Sequence, residues 1–155
     1  MLKPDTLRKA LMDAVPALRT NPAMLRLWVD KGRNIATLSH SLSFEKQFSL
    51  NVAVSGFSGD IDTIFVPVML WLRDNQPDIL TVEVGQQACF SWTLVTNSDS
   101  TQDLALTLQL TERTQVKEVD GALYAETLPE PLPPALVTRP KELYVHGELL
   151  SSWSS

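Results

Sequence analysis

Gly56-Phe57-Ser58-Gly59 is the stretch of this chain where residue type and position come nearest to a reactive site. A serine on a glycine-rich turn between an expected strand and an expected helix is where a hydrolase presents its nucleophile. The spacing is not G-x-S-x-G, however, and a general base could come only from His40 or His146. A phosphate loop would need Gly-Lys-Ser/Thr after the turn, whereas Asp60 follows Gly59 and would repel a phosphate. The segment reads instead as a glycine turn feeding a helix. Asp60 and Asp62 could be paired carboxylates, but at a helix start either is expected to cap free backbone N–H groups.

The remaining reactive residue types are scattered. His40, His146 and Cys89 form no metal-ligand spacing, and Cys89 beside Phe90 reads as a small core residue. A single cysteine excludes an intramolecular disulfide framework and fits assembly in a reducing compartment. Trp28, Trp71, Trp92 and Trp153 fall on separate elements, as core or interface anchors rather than stacking platforms for bases. No catalytic, cofactor-binding or metal-binding residue is assigned. The residues argue for a structural or assembly protein, not an enzyme.

The elements that carry these residues follow from periodicity. Residues 5–20 have helical spacing (Leu7, Leu11, Ala14, Val15, Leu18), with Pro16 expected to kink or end the helix. Leu25, Leu27 and Val29 alternate with polar neighbours, and Asp30-Lys31-Gly32 reads as a tight turn returning residues 33–38 as a partner strand. Residues 44–55 alternate most clearly, with Phe44, Phe48, Leu50, Val52 and Val54 on one face. A helix over about 62–75 follows, apolar almost all round and therefore expected to be buried, either under the sheet or between subunits. Further strands are expected at 80–84, 89–96 and 104–110. Residues 114–127 are expected to form a hairpin about Asp120-Gly121, mostly polar on both faces and projecting from the sheet. Residues 128–140 hold five prolines and read as an extended linker, before a last small hairpin turning at His146-Gly147. The expected class is α+β: a mostly antiparallel sheet packed against two main helices, with a projecting hairpin and an extended C-terminal arm. The expected division is a single domain over 1–127, then a linker and arm over 128–155.

A chain of 155 residues suits one well-cored domain, and 44% apolar with 20% charged side chains is an ordinary soluble composition. The first fifteen residues include acids and lack a long apolar core, unlike a secretory signal, and no apolar run is long enough for a membrane helix. Residues 1–50 carry eight Lys/Arg against four acids, a balance of +4, whereas the other 105 residues carry five against fourteen, a balance of −9. Such asymmetry is compatible with nucleic-acid contact, with copies packing head to tail, or simply with solvated faces. The basic start has no interleaved aromatics, so sequence-specific nucleic-acid binding is not expected.

The ordered segments MLKPDTLRKAL, MLRLWVDKG, SLSFEKQFSLNVAVSGFSGD, VPVMLWLRDNQPDIL, LTERTQVKEVDGAL and VTRPKELYVHGELL closely resemble the tail completion protein R family of P-two-type temperate phages with contractile tails. The resemblance runs over essentially the whole chain. It implies a virion morphogenesis protein of the phage tail, present in the host cytoplasm during assembly and needing no cofactor. By analogy of element order with tail terminators, it implies a ring of six copies capping the tail tube. The partners so implied are the chain itself, tube and sheath proteins, and head–tail connector proteins, without sequence-specific nucleic acid and without membrane. An alternative is an assembly adaptor that acts in tail morphogenesis without forming the terminal ring.

Overall fold

Apolar side chains at every second position of 48–54 and 104–110 share one face of two adjacent strands in the computed structural model, which describes residues 1–36, 41–80, 88–130 and 140–153. The strands are β2 (Phe44–Phe57) and β4 (Gln102–Val119), antiparallel, with Leu50 opposite Leu108 and Val52 opposite Leu106. β1 (Leu25–Ala36) pairs with the other side of β2, and β3 (Ser91–Thr96) and β5 (Ala122–Leu128) both pair with β4, giving the order β1-β2-β4-β3 with β5 also on β4. Helices α1 (Lys3–Ala14), α2 (Pro16–Thr20) and α3 (Asp62–Asn75) join the inner face of this sheet in one core, in which Leu7, Leu11, Leu18, Ile64, Val68 and Leu72 are fully buried. The architecture is α+β, as the periodicity indicates.

Local chemistry accounts for most element ends. Pro16 lacks the N–H that would continue α1, so Val15 goes extended (φ −114°, ψ 105°) and α2 starts afresh. Asp120-Gly121 (φ 52° and 77°) and His146-Gly147 (φ 51° and 83°) take the left-handed conformations of a two-residue hairpin turn. The first joins β4 to β5, and the second joins β6 (Glu142–Val145) to β7 (Glu148–Ser152). This last hairpin lies on α1 of its own chain: Leu143 and Ser151 are buried, and Ser151 Oγ donates to Ala14 O at 2.6 Å.

Four expectations change. Asp30-Lys31-Gly32 is not a chain reversal but a β-bulge inside one continuous β1. Asp30 faces Ser49 and Arg33 faces Gln47, so Lys31 (φ 51°) and Gly32 together oppose Phe48. The reason is tertiary, because β2 is long enough to pair with both halves. Likewise 104–110 and 114–119 are one strand, β4, held straight through by β2 up to the Phe44–Thr114 pair. Within its own chain α3 is not buried all round, so only the between-subunits form of that expectation remains for its outer side: Thr63, Ile64, Pro67, Val68, Trp71 and Leu72 face the core, whereas Val66 (46%) and Met69 (36%) are exposed. The strand expected from residue 89 begins at Ser91. Residues 81–84 of another expected strand, residues 37–38 and most of the proline linker lie outside the described residues.

The inner row of β4 changes character along its length. After Leu110 it continues as Glu112 and Thr114, both buried. Around them sits a polar knot. Lys3, 5% exposed, donates its backbone N–H to Glu112 Oε1 (2.6 Å) and its Nζ to Gln76 Oε1 (2.6 Å), Thr111 O and Glu130 Oε1 (3.1 Å). Gln76, just past α3, also accepts from Thr111 N and donates to Thr111 Oγ1 and Asp78. A buried cation is tolerated only when its protons are all partnered, and this one is. The knot fastens the start of α1, the end of α3 and the middle of β4 together.

Two stability predictions follow from this packing. Leu108→Ala, at a fully buried position, costs about 2–5 kcal/mol in urea unfolding, while Leu123→Ala, at an exposed one, stays within about 0.5 kcal/mol. Gln76→Ala costs about 1–3 kcal/mol, because it strips an acceptor from the buried Lys3 Nζ and from Thr111 N–H.

Candidate functional site

The glycine turn at Gly56–Gly59 is held by hydrogen bonds made within it and around it. Gly56 (φ 68°) sits in a bulge where residues 55–56 oppose Asp103 alone. Its N–H donates to Asp103 Oδ1 at 2.9 Å, which with Asn97 holds the Asp103 carboxyl below its ordinary range. Gly59 has no room for a side chain, since a Cβ there would meet the Phe57 ring at 2.9 Å. Ser58 is exposed on this turn. Asp60 then caps α3: its Oδ1 accepts the Asp62 N–H at 2.9 Å, and its carbonyl accepts from Thr63 N and Oγ1.

The structure adds one partner that no spacing could announce. His146, at the tip of the β6–β7 hairpin and 86 residues away in sequence, places Nε2 2.6 Å from Asp60 Oδ2. The Asp62 N–H first, and His146 second, hold the Asp60 carboxyl below its ordinary value of 3.8. Ligand atoms of Asp60, Asp62 and His146 all lie within 4.8 Å of one another, a grouping that could bind a cation. All three residues are exposed, and both Asp60 oxygens already accept hydrogen bonds, so the contact works as a clamp of the C-terminal hairpin on the α3 cap. His40 lies outside the described residues. Cys89 is half-buried against the core, Phe90 packs on Phe65 with the rings tilted (5.5 Å between centroids, 54° between planes), and Trp71 is buried with Nε1 donating to Thr6 Oγ1.

What the described surface does offer is contact area. An apolar groove of about 350 Å³ runs between α1, α3 and the C-terminal hairpin, lined by Ala10, Val66, Pro67, Leu70 and Trp153. Beyond the Phe44–Thr114 pair, β4 leaves β2 and continues with β5 alone as a hairpin that projects from the sheet. Val119, Leu123 and Tyr124 on it are 50–61% exposed. A lone two-stranded ribbon with apolar side chains on its surface contributes little to its own chain's stability and is suited to packing on another. The outer side of the sheet carries Trp28, 42% exposed, with the Arg26 guanidinium 5.3 Å above its ring. Sequence reasoning found the projecting hairpin but missed the groove, because Val66 and Leu70 look like core residues until the gap between α1 and the outer side of α3 is seen.

Comparison with known proteins matches residues 1–131 to the family described as P2 phage tail completion protein R (GpR). The chain is similar to tail completion protein R of Escherichia phage P2, with 56% identity over 153 residues covering 99% of each chain. No solved structure matches.

The clamp has a definite pH signature. The folded pKa of Asp60 lies below its unfolded value, so its stabilisation is complete above about pH 4 and is lost as pH falls through the lowered folded value. Asp60→Asn therefore lowers the melting temperature at pH 6 and narrows the gap to wild type below pH 4. Melting curves across that range check it.

Proposed function

Because the chain belongs to the family of P2 phage tail completion protein R, we propose that it forms a ring of six copies that caps the tail tube and presents the joining surface to the head connector. Membership makes it a structural phage tail protein, and its place is the virion tail. Among the described residues no helix is long and apolar enough to cross a membrane. The finer reading is supported above all by the β4–β5 hairpin, on which Val119, Leu123 and Tyr124 remain at least half exposed. A ring needs each subunit to carry two different, mutually complementary surfaces, and the basic first third against an acidic remainder meets that need. In this reading residues 1–127 are the ring body, and residues 128–155 are the linker and arm. The arm stays fastened through His146 and Ser151, and the groove beside it is available to the tube or the connector. Assembly takes place in the host cytoplasm, with sheath and tube proteins as neighbours.

The experiment is native mass measurement of the purified chain, together with complementation of tails made without it. A six-copy species and restored head joining are the expected results. A stable monomer that still completes tails would make the chain an assembly adaptor instead. The double change Leu123→Glu and Tyr124→Glu is expected to leave stability within about 0.5 kcal/mol, since both side chains are exposed, and to abolish tail completion.

A further inference from the structure

Among the described residues, the sheet ends in an open edge on each side. Along the row Ala36–Phe44–Thr114–Thr127, β1 lies at one end and β5 at the other; along Leu25–Val54–Leu104–Leu94 the ends are β1 and β3. Among the described residues, β1 pairs only with β2, and β5 and β3 pair only with β4. The outer edge of β1 therefore offers a twelve-residue run of backbone N–H and C=O groups, and the β3/β5 side offers six and seven. Each edge also carries exposed apolar residues: Trp28, Val29 and Ile35 on β1, and Leu123, Tyr124 and Leu128 on β5. A monomer that stayed single would leave two template edges in water, which is an aggregation hazard.

The charges on the two sides are opposite. β1 carries Arg26, Lys31 and Arg33 against Asp30, all exposed. On the far side β5 itself carries one charge, Glu126, and the β4 half and the turn of the same hairpin carry Glu118 and Asp120 against Arg113 and Lys117, all exposed. Two copies meeting β1 to β1 would bring cations together, and two meeting β5 to β5 would join edges whose only charge is the acid Glu126. β1 to β5 brings opposite charges across the junction, where cross-strand ion pairs favour that partner and that orientation. A contact between two different edges is heterologous, and repeated with rotation it closes a ring.

We propose that the β1 edge of one copy of this chain docks on the β5 edge of the next, so that the sheets of neighbouring subunits join edge to edge. The occupant of each edge is thus a second copy, and the inference rests on the ring reading above. It assigns the β1 bulge a role as well: Lys31, lifted out of the ladder at φ 51°, stands at the junction rather than inside the sheet.

The test swaps the charges. Lys31→Glu with Arg33→Glu reverses one edge, Glu118→Lys with Glu126→Lys reverses the other, and a fourth protein carries all four changes. Native mass should show each one-sided variant dissociating at about tenfold higher subunit concentration than wild type, with the four-fold variant returned towards wild type. Hydrogen exchange on the unaltered protein is a second measure that needs no variant to fold: amides of residues 25–36 and 122–128 should be protected in the assembled form and exchange faster in the dilute monomer. If wild type assembles while the one-sided variants assemble equally well, or while those amides exchange alike in both forms, edge docking is overturned and the ring reading stands. If wild type never assembles, the ring reading falls and takes this inference with it.

Discussion

One strand holds this molecule together. β4 supplies the inner row Leu104, Leu106, Leu108 and Leu110, and it is the shared neighbour of β2, β3 and β5. Because side chains alternate strictly along a strand, a one-residue slip of β4 would turn four leucines to water and bring Ala105, Thr107 and Gln109 into the core. That penalty locks the register of β2, and through β2 that of β1. Where the leucines stop, at Glu112 and Thr114, the core stops too, and the same strand leaves the sheet as half of a projecting hairpin. A single stretch of chain thereby couples the most rigid part of the protein to its most exposed.

The buried Lys3 knot serves the same coupling from the helical side. An ammonium group out of water must be hydrogen-bonded on all its protons, and here the acceptors come from three places far apart in sequence: Gln76, Thr111 and Glu130. Such a group tolerates little displacement of any of them. It fixes where α1 begins and α3 ends relative to the point at which β4 passes from core to hairpin. At the opposite end of α3, the Asp60 cap and the His146 clamp hold the C-terminal hairpin in place. The exposed elements, the groove and the β4–β5 ribbon, are thus presented from a body braced at both ends of one helix. A structural tail protein whose surfaces must meet other subunits in a set geometry gains from such bracing, because a preorganised surface loses less entropy on association.

The sequence by itself determined whatever depends on neighbours in the chain. Two-residue alternation located β2 and the first half of β4, Pro16 divided the first helix, and Asp120-Gly121 and His146-Gly147 specified hairpin turns, since these effects act over a few bonds. The family resemblance was legible in the same way, segment by segment. The tertiary structure alone decided what depends on a distant partner. Asp30-Lys31-Gly32 is a bulge and not a turn because β2 runs past both halves of β1. Val66 and Met69 are exposed because nothing among the described residues covers the outer side of α3. His146 meets Asp60 because two hairpin and helix ends happen to be folded together across 86 residues. Local conformation is set by short-range sterics and hydrogen bonding, which a sequence displays. Pairing across the fold is set by which surfaces remain to be buried once those elements exist, and only the assembled structure shows that.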